Sequence, residues 1–369
     1  LAHRNSRAIL LINFTMPITL TLPTILASAF ALTLLFNVSC RNSDDPIEEE
    51  LPKGAYENGI IITNEGGYST PTSTVSFIPN DLSKQEDNIF AKNNDNAVLG
   101  NVFQTIGFKG DLAYLVLNVP NKVEIVNRYT FKKSATITSN LSTPRYIAFT
   151  PNHTYITNHD FATVKKVNIY TNTNEFVKSI NFDRYAEKIS SSNGFVYVQT
   201  DGLTYDSSYN ELATGHTISR INPATNAVDK TITLSDELII RDMIADENFV
   251  YVVTSDYTNS NLYKITSATG NVEKITLTGV AGAQKLALDN GKLYFMTSGK
   301  KIYNLAANTP NALFTATASY AYGFNVINGN IYVSDASFTG DSTVRIYNLT
   351  GTLVKTLSTG IATNGFYKN

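Results

Sequence analysis

Side chains that could perform catalysis or bind a metal are sparse in this chain and form no recognisable motif. Beyond the first forty residues there are three histidines, His153, His159 and His216, and none has a second ligand candidate at zinc-site spacing. Segments 93–96 (NNDN) and 206–211 (DSSYNE) offer oxygen ligands but lack the spaced acids of a calcium loop. The GxSxG, P-loop and HExxH patterns are absent. We therefore expect a protein that is not an enzyme and holds no metal or cofactor.

The composition favours a folded β-protein and gives no support for nucleic-acid binding. Hydrophobic residues make up 43% of the chain and charged residues 16%, which excludes disorder throughout. The formal net charge is −2, whereas binding to phosphate backbones requires clustered Lys and Arg. Tyr and Phe are frequent, at 21 and 19, and turn and β-branched residues are common. This mixture favours strands and turns over helices.

The first forty residues differ from the rest of the chain. Residues 17–36 carry no charge, and Arg4 and Arg7 precede them. A basic start followed by an apolar stretch is typical of a secretory signal peptide, which we predict over residues 1–39. The alternative is a membrane-spanning helix, which two prolines and an acidic flank disfavour.

The only cysteine, Cys40, lies between this apolar stretch and an acidic run. Ser39 and the apolar residues before it resemble the lipobox of bacterial lipoproteins, although Asn37 stands where that motif has Leu. The acids of 43–50 resemble the tag that directs Bacteroidetes lipoproteins to the cell surface. We expect lipidation at Cys40, a linker over 40–55 and exposure on the outer membrane. An incidental thiol and a solvated acidic linker are the alternatives.

A short motif, a hydrophobic strand that ends in a polar turn residue, recurs through the remaining chain. Its spacing averages about 45 residues, as expected of four-stranded propeller blades. The seven copies are IITN (61–64), LVLN (115–118), YITN (155–158), YVQT (197–200), YVVT (251–254), YFMT (294–297) and YVSD (332–335).

Each copy belongs to a longer unit with four strand candidates. In residues 193–234, the motif is followed by a second strand, a PATN turn and a third strand, and AEKISSS precedes it. We predict an all-β fold, a seven-bladed β-propeller of four-stranded antiparallel blades over residues 56–369. The segment STGIATNGFYKN at the end of the chain is predicted to complete the first blade and close the ring.

In such a ring, the starts of the innermost strands and the loops after the second strands meet on one face. That face combines aromatic, amide and charged side chains, which suits a large, flat, amphiphilic ligand. The alternative for any one of these residues is an ordinary solvated loop. The predicted ligand-binding residues are Glu65, Tyr68, Gln104, Asn118, Arg145, Tyr146, His159, Lys188, Tyr205, Arg241, Asp242, Tyr257, Gln284, Tyr322, Asp335 and Asn364.

The repeat units resemble YVTN-type, YncE-like β-propellers. More narrowly, NEG (64–66), the LGN segment (99–101) and the ending GIATNGFY resemble a Bacteroidetes surface-lipoprotein family labelled DUF5074, over residues 57–369. Asn101 departs from the Asp expected in relatives. The resemblance implies capture of a corrinoid such as cobalamin and its transfer to a TonB-dependent receptor. A protein-interaction scaffold and a lactonase-like enzyme are the alternatives, since a fold does not fix a function.

Overall fold

The chain is built from β-strands with a single helical turn, α1 (Ile89–Lys92), in the residues that the structure describes. This computed structural model describes residues 51–160, 163–201, 203–209, 211–213, 215–235 and 237–369. The predicted signal peptide, the lipidation site at Cys40 and most of the predicted linker lie outside the described residues. Within the described part, no helix is long and apolar enough to cross a membrane.

The strands are short and follow one another at the spacing of the repeat. In chain order they are β1 (Gly59–Asn64), β2 (Thr74–Pro79), β3 (Val102–Lys109), β4 (Leu112–Val119), β5 (Lys122–Asn127), β6 (Lys133–Ile137), β7 (Pro144–Phe149), β8 (His153–His159), β9 (Lys165–Thr171), β10 (Phe176–Asn181), β11 (Ile189–Ser192), β12 (Phe195–Gln199), β13 (Leu203–Tyr205), β14 (Glu211–Ala213), β15 (Thr217–Asn222), β16 (Ala227–Thr233), β17 (Ile239–Ala245), β18 (Phe249–Ser255), β19 (Ser260–Thr266), β20 (Asn271–Thr276), β21 (Ala283–Asp289), β22 (Lys292–Thr297), β23 (Lys301–Ala306), β24 (Thr309–Thr315), β25 (Ala321–Ile327), β26 (Asn330–Asp335), β27 (Asp341–Asn348), β28 (Leu353–Ile361) and β29 (Thr363–Lys368).

These strands form the seven antiparallel blades that the repeat predicted. Blades 2, 3, 5, 6 and 7 are β3–β6, β7–β10, β17–β20, β21–β24 and β25–β28, each in sequence order from the axis outward. Blade 4 has the order β11-β12-β15-β16, and the hairpin β13-β14 is inserted between its second and third strands. Blade 1 combines β1 and β2 with β29 from the other end of the chain.

The last strand closes the ring, which confirms the prediction for the C-terminal segment. Strand β29 runs antiparallel to β1, with Ile62 opposite Phe366 and Ile61 opposite Tyr367. It also packs against the innermost strands of blades 2 and 7, β3 and β25. Because the first blade combines strands from both ends of the propeller, the backbone hydrogen bonds between β1 and β29 close the ring.

Blade 1 differs from the others at its outer position. There, β2 pairs with no fourth strand from the described part of the chain, and Phe77 instead makes an isolated bridge to Glu86 through two N–H···O bonds of 2.8 Å. The Tyr56 hydroxyl donates to the Glu86 carboxylate at 2.7 Å, and α1 buries Ile89 and Phe90 beside it. This packed segment covers the edge of β2, which would otherwise be open to pairing with another chain.

The core lies between neighbouring blades, and the aromatic residue of the recurring motif helps to fill it. Tyr155, Tyr197, Tyr294 and Tyr332 are all almost fully buried. Tyr197 of blade 4 packs in one cluster with blade 5, and its hydroxyl donates to the carbonyl of Ser267 at 2.6 Å. Burying aromatic area while pairing the hydroxyl lets tyrosine bind one blade to the next.

Candidate functional site

The innermost strands of the blades surround a cavity of about 610 Å³, which we call the axial cavity. All seven innermost strands, or the residue just before the strand, contribute to its wall. Eight of the predicted ligand-binding residues lie there: Glu65, Gln104, Arg145, Tyr146, Lys188, Asp242, Tyr322 and Asn364.

Irregular pairing at the start of each innermost strand explains why polar side chains gather at the axis. In β17, the pairing with β18 passes from Ile240 to Asp242 and omits Arg241. In β21, the pairing with β22 passes from Ala283 to Lys285 and omits Gln284. In a regular strand, side chains point to the two faces of the sheet, which here are the spaces between blades. A bulge bends the strand and re-aims a side chain, so it can bring one to the axis. The residues skipped by the register are Gln104, Arg145, Tyr146, Arg241, Gln284, Tyr322, Gly323 and Asn364.

The start of β11 has the same irregularity in its backbone hydrogen bonds. The Glu187 N–H donates to the Gln199 carbonyl at 3.0 Å, and the Gln199 N–H donates to the Lys188 carbonyl at 2.8 Å. Two residues therefore stand opposite one. All seven innermost strands thus begin with an irregularity at the same end of the ring.

An ion pair between blades 3 and 4 lies at the edge of the axial cavity. The Arg145 guanidinium donates to Glu187 through Nη2 at 2.7 Å and through Nε at 3.2 Å to both carboxylate oxygens. His159 Nδ1 lies 3.0 Å from the other oxygen, Glu187 Oε2, and its ring stacks on Tyr185 at 4.1 Å between centroids. This arrangement fixes the Arg145 side chain in place.

The charges of this pair shift both pKa values. Burial alone would raise the pKa of the Glu187 carboxyl, but Arg145 and the hydrogen bond from His159 outweigh it and lower that pKa to about 2. Burial alone would lower the pKa of Arg145, and the Glu187 carboxylate instead raises it. Both groups are therefore charged at neutral pH.

A second ion pair joins blades 4 and 5. Lys188 Nζ lies 3.1 Å from Asp242 Oδ1 and 4.3 Å from the centroid of the Tyr146 ring. Asp242 also accepts the backbone N–H groups of Met243 at 3.0 Å and Leu286 at 2.9 Å. Although burial opposes it, the charges of Lys188 and Lys285 and the Leu286 N–H lower the pKa of Asp242, and Asp242 raises the pKa of Lys188.

The other acid that lines the axial cavity, Glu65, accepts a hydrogen bond from a phenol. Tyr322 donates its hydroxyl to Glu65 Oε2 at 2.6 Å, across blades 7 and 1. Burial raises the pKa of Glu65, and burial together with the Glu65 charge raises the pKa of Tyr322. Lys285 Nζ lies 5.7 Å from the centroid of the Tyr322 ring. Burial and then the charge of Lys188 lower the pKa of Lys285.

Other predicted residues do not line the cavity. Tyr68 and Tyr257 lie on loops and Tyr205 ends β13, and the three are 76%, 85% and 53% exposed. Arg241 and Gln284 are half-buried, and the next residues, Asp242 and Lys285, line the cavity in their place.

Three predicted residues form hydrogen bonds or ion pairs with other residues of the protein. His159 is buried against Glu187 and Tyr185. Asn118 donates to the Pro144 carbonyl at 3.4 Å. Asp335 accepts the backbone N–H groups of Ser319 and Tyr320, both at 2.9 Å, and lies 3.3 Å from Arg345. These contacts hold loops and strand ends in position.

The sequence analysis missed Glu187, Lys285 and Tyr367. Glu187 and Lys285 are each next to a predicted residue, Lys188 and Gln284, so a search of both positions at each strand start would have found them. Tyr367 lies deeper in β29, where no sequence signal distinguishes it from a core tyrosine. The described residues contain no group of three or more His, Cys, Asp or Glu that could hold a metal ion.

The sequence profile of one family, described as "Domain of unknown function (DUF5074)", matches residues 58–369. Among curated proteins, the comparison finds none that matches the chain.

Solved structures with similar architecture are distant in sequence. A quinonprotein alcohol dehydrogenase-like protein from Bacteroides thetaiotaomicron is 13% identical, with a TM-score of 0.61 and coverage of 85% of this chain and 78% of that chain. The dihydro-heme d1 dehydrogenase NirN, in complex with DHE, is 12% identical, with a TM-score of 0.56 and coverage of 86% and 76%. BamB from Moraxella catarrhalis is 13% identical, with a TM-score of 0.51 and coverage of 85% and 86%. At these identities the likeness shows the fold alone.

Proposed function

The chain belongs to the DUF5074 family, whose description names no activity, and we propose its function from the chemistry of the axial cavity. We propose that it is a lipoprotein of the outer-membrane surface that binds a corrinoid such as vitamin B12. It passes this nutrient to a TonB-dependent receptor. In this proposal Cys40 carries the lipid, the membrane is reached only through that anchor, and the protein is a binding protein rather than an enzyme.

The observation that carries the proposal is the polar, partly aromatic wall of the axial cavity. A cavity of about 610 Å³ falls within the usual range for sites that hold organic ligands. Gln104 brings to it an amide with no hydrogen-bond partner among the described residues, whereas the amides of Asn325 and Asn364 donate to the Phe366 and Phe103 carbonyls. Tyr146 and Tyr322 bring aromatic rings. A corrinoid is a large, flat ring with many amide groups, so rings can cover its faces and amides can pair with its rim.

Aromatic side chains outside the cavity extend this surface. Tyr320, Tyr322 and Phe338 form a cluster with centroid distances of 5.5 to 5.9 Å, and Tyr320 and Phe338 are half-exposed. Tyr322 also lines the cavity, so the cluster is continuous with its wall. A ligand wider than the cavity would rest on these rings.

Titration calorimetry of residues 52–369 with cyanocobalamin tests the proposal. This unit holds every blade and the ring closure. We expect one-to-one binding. Replacing Tyr322 by Ala should weaken it by about tenfold or more, the usual effect of a central aromatic contact. Phe176→Ala, which alters a partly exposed ring on the outer strand β10, is the matched control and should bind normally. A folded sample that gives no heat at micromolar protein would contradict corrinoid binding.

A protein-interaction scaffold is the second candidate, because several aromatic side chains project into solvent. Tyr68, Tyr209 and Tyr257 are 76%, 87% and 85% exposed. Exposed tyrosines are common at the centres of protein interfaces. A pull-down of outer-membrane proteins with the wild type and with a Tyr68→Ala, Tyr257→Ala double variant tests this candidate. A partner that is retained by the wild type and lost by the variant would favour it.

A further inference from the structure

The acidic and basic side chains at the axial cavity differ in whether they have a hydrogen-bonding or oppositely charged partner. Its wall carries two carboxylates, Glu65 and Asp242, and a third, Glu187, lies beside it; each of the three accepts hydrogen bonds from protein donors. Arg145 and Lys188 are the partners of two of them. The remaining cation, Lys285, has no carboxylate within 4.0 Å in the part of the chain that the structure describes.

Lys285 is held in a position where an unpaired ammonium is unfavourable. It lines the cavity, half-buried, with its Nζ 5.7 Å from the centre of the Tyr322 ring. Burial and the positive charge of Lys188 lower its pKa, and the charges of Asp242 and Glu65, both beyond 4.0 Å, offset this only in part. A cation removed from water is stabilised when an anion accepts its hydrogens, so this site favours a negatively charged guest.

Neighbouring groups offer further donors to the same guest. Lys188 donates one N–H to Asp242, which leaves two N–H groups that can bind a ligand. Tyr146 and Gln104 also line the cavity, and neither the Tyr146 hydroxyl nor the Gln104 amide has a hydrogen-bond partner within the described residues. By contrast, the carboxylates, which would repel an anion, are already neutralised or hydrogen-bonded.

We infer that the axial cavity contains an oxoanion subsite, in which Lys285, Lys188 and Tyr146 bind a carboxylate or phosphate group of the ligand. The inference rests on the proposed function only in taking the axial cavity as the ligand site. It narrows the ligand to molecules that carry an acidic group as well as a large amphiphilic body. Charge-assisted hydrogen bonds to such a group would fix the ligand's orientation in the ring.

Simple anions test the subsite without any corrinoid. The backbone amides of Leu286 and Met243, which donate to Asp242 beside Lys188, serve as NMR reporters in residues 52–369. Inorganic phosphate and acetate are titrated separately at constant ionic strength. We expect saturable shifts in the millimolar range. Tighter binding of phosphate would assign a phosphate-bearing ligand, and equal or tighter binding of acetate would assign a carboxylate.

Variants at Lys285 distinguish anion binding at a specific site from nonspecific electrostatic attraction. Lys285→Met should weaken anion binding by about tenfold or more, and Lys285→Arg should restore most of it. Lys292→Met, at the exposed start of β22, is the matched control and should bind as the wild type does. The absence of saturation by either anion in the wild type, or unchanged binding in a folded Lys285→Met protein, would overturn the inference. Neither result depends on whether cyanocobalamin binds.

Discussion

At the scale of single residues, the ion pair between Arg145 and Glu187 holds one side chain of the axial cavity in a fixed position. Its three hydrogen bonds, at 2.7 and 3.2 Å, join two blades. The sequence indicated Arg145 from its place at a strand start, but nothing in the sequence pairs it with Glu187. That pairing depends on how far one blade is rotated from the next.

Replacing Glu187 by Gln should destabilise the protein, because the Arg145 charge would lose its partner. We expect a loss of about 2 kcal/mol in the free energy of unfolding, below the range for fully buried pairs. The side chains are still 20% and 17% exposed, which justifies the lower figure. Urea unfolding at pH 7 measures the loss. Asp111→Asn, which removes an exposed pair with Lys53, is the control and should leave stability unchanged.

The same pair predicts a dependence of stability on pH. The pKa of Glu187 is about 2 in the folded protein, below the value of about 4.3 for an unfolded chain. Its contribution is therefore fully present above pH of about 4.3 and is lost as the pH falls towards 2. Between those values the wild type should lose more stability than Glu187→Gln. Parallel slopes for the two proteins would contradict the assignment of the pair.

At the scale of strands and blades, the sequence repeat and the packing agree closely. Strand candidates precede five of the motif copies. PRYIAFT (144–150), AEKISSS (186–192), AQKLALD (283–289) and AYGFNVI (321–327) contain β7, β11, β21 and β25, and RDMIADE (241–247) overlaps β17, which begins two residues earlier. The irregularities that open these strands could not be predicted, since one extra residue leaves the hydrophobic pattern almost unchanged. For this reason Gln284 was predicted where Lys285 lines the cavity, and Arg241 was predicted together with Asp242 although only Asp242 lines it.

The tyrosine of the recurring motif should matter more for packing than for binding. Tyr197→Ala leaves a cavity between blades 4 and 5, and we expect a cost of about 3–5 kcal/mol. Tyr197→Phe keeps the ring but loses the hydrogen bond to the Ser267 carbonyl, at a cost of about 1 kcal/mol. Thermal and urea unfolding distinguish the two. Tyr205→Ala, at a half-exposed residue that ends β13, is the control. Equal stability of Tyr197→Ala and wild type would show that this packing is wrong.

At the scale of the whole molecule, the ring depends on one short strand. Strand β29 pairs with β1 and contacts the innermost strands on both sides. The C-terminal residue adds to this closure, since Asn369 Oδ1 accepts from Arg128 Nε at 2.6 Å. Without the last strand, β1 would be left with an unpaired inner edge.

Truncation before Thr363 should therefore open the ring. We expect loss of cooperative unfolding and a tendency to aggregate, because unpaired strand edges attract other chains. The control replaces residues 203–213 of the β13-β14 hairpin by a short Gly-Ser turn. That hairpin lies outside the four-stranded ladder of blade 4, so the control should remain monomeric and folded. Size-exclusion chromatography with urea unfolding compares the two. A soluble, cooperatively folded truncation product would refute the role of β29.

The sequence by itself determined the blade number, the order of the strands and the closing role of the last segment. It could do so because strand alternation and turn residues are local, and a repeat averages the local signal over seven copies. It also located the face where the polar side chains meet. The tertiary structure alone decided which of two adjacent residues lines the axial cavity, and which carboxylate pairs with which cation. Those outcomes depend on strand irregularities and on contacts between blades, whose partners lie tens of residues apart in the chain. For the same reason, only the assembled ring shows that no carboxylate among the described residues lies within 4.0 Å of Lys285.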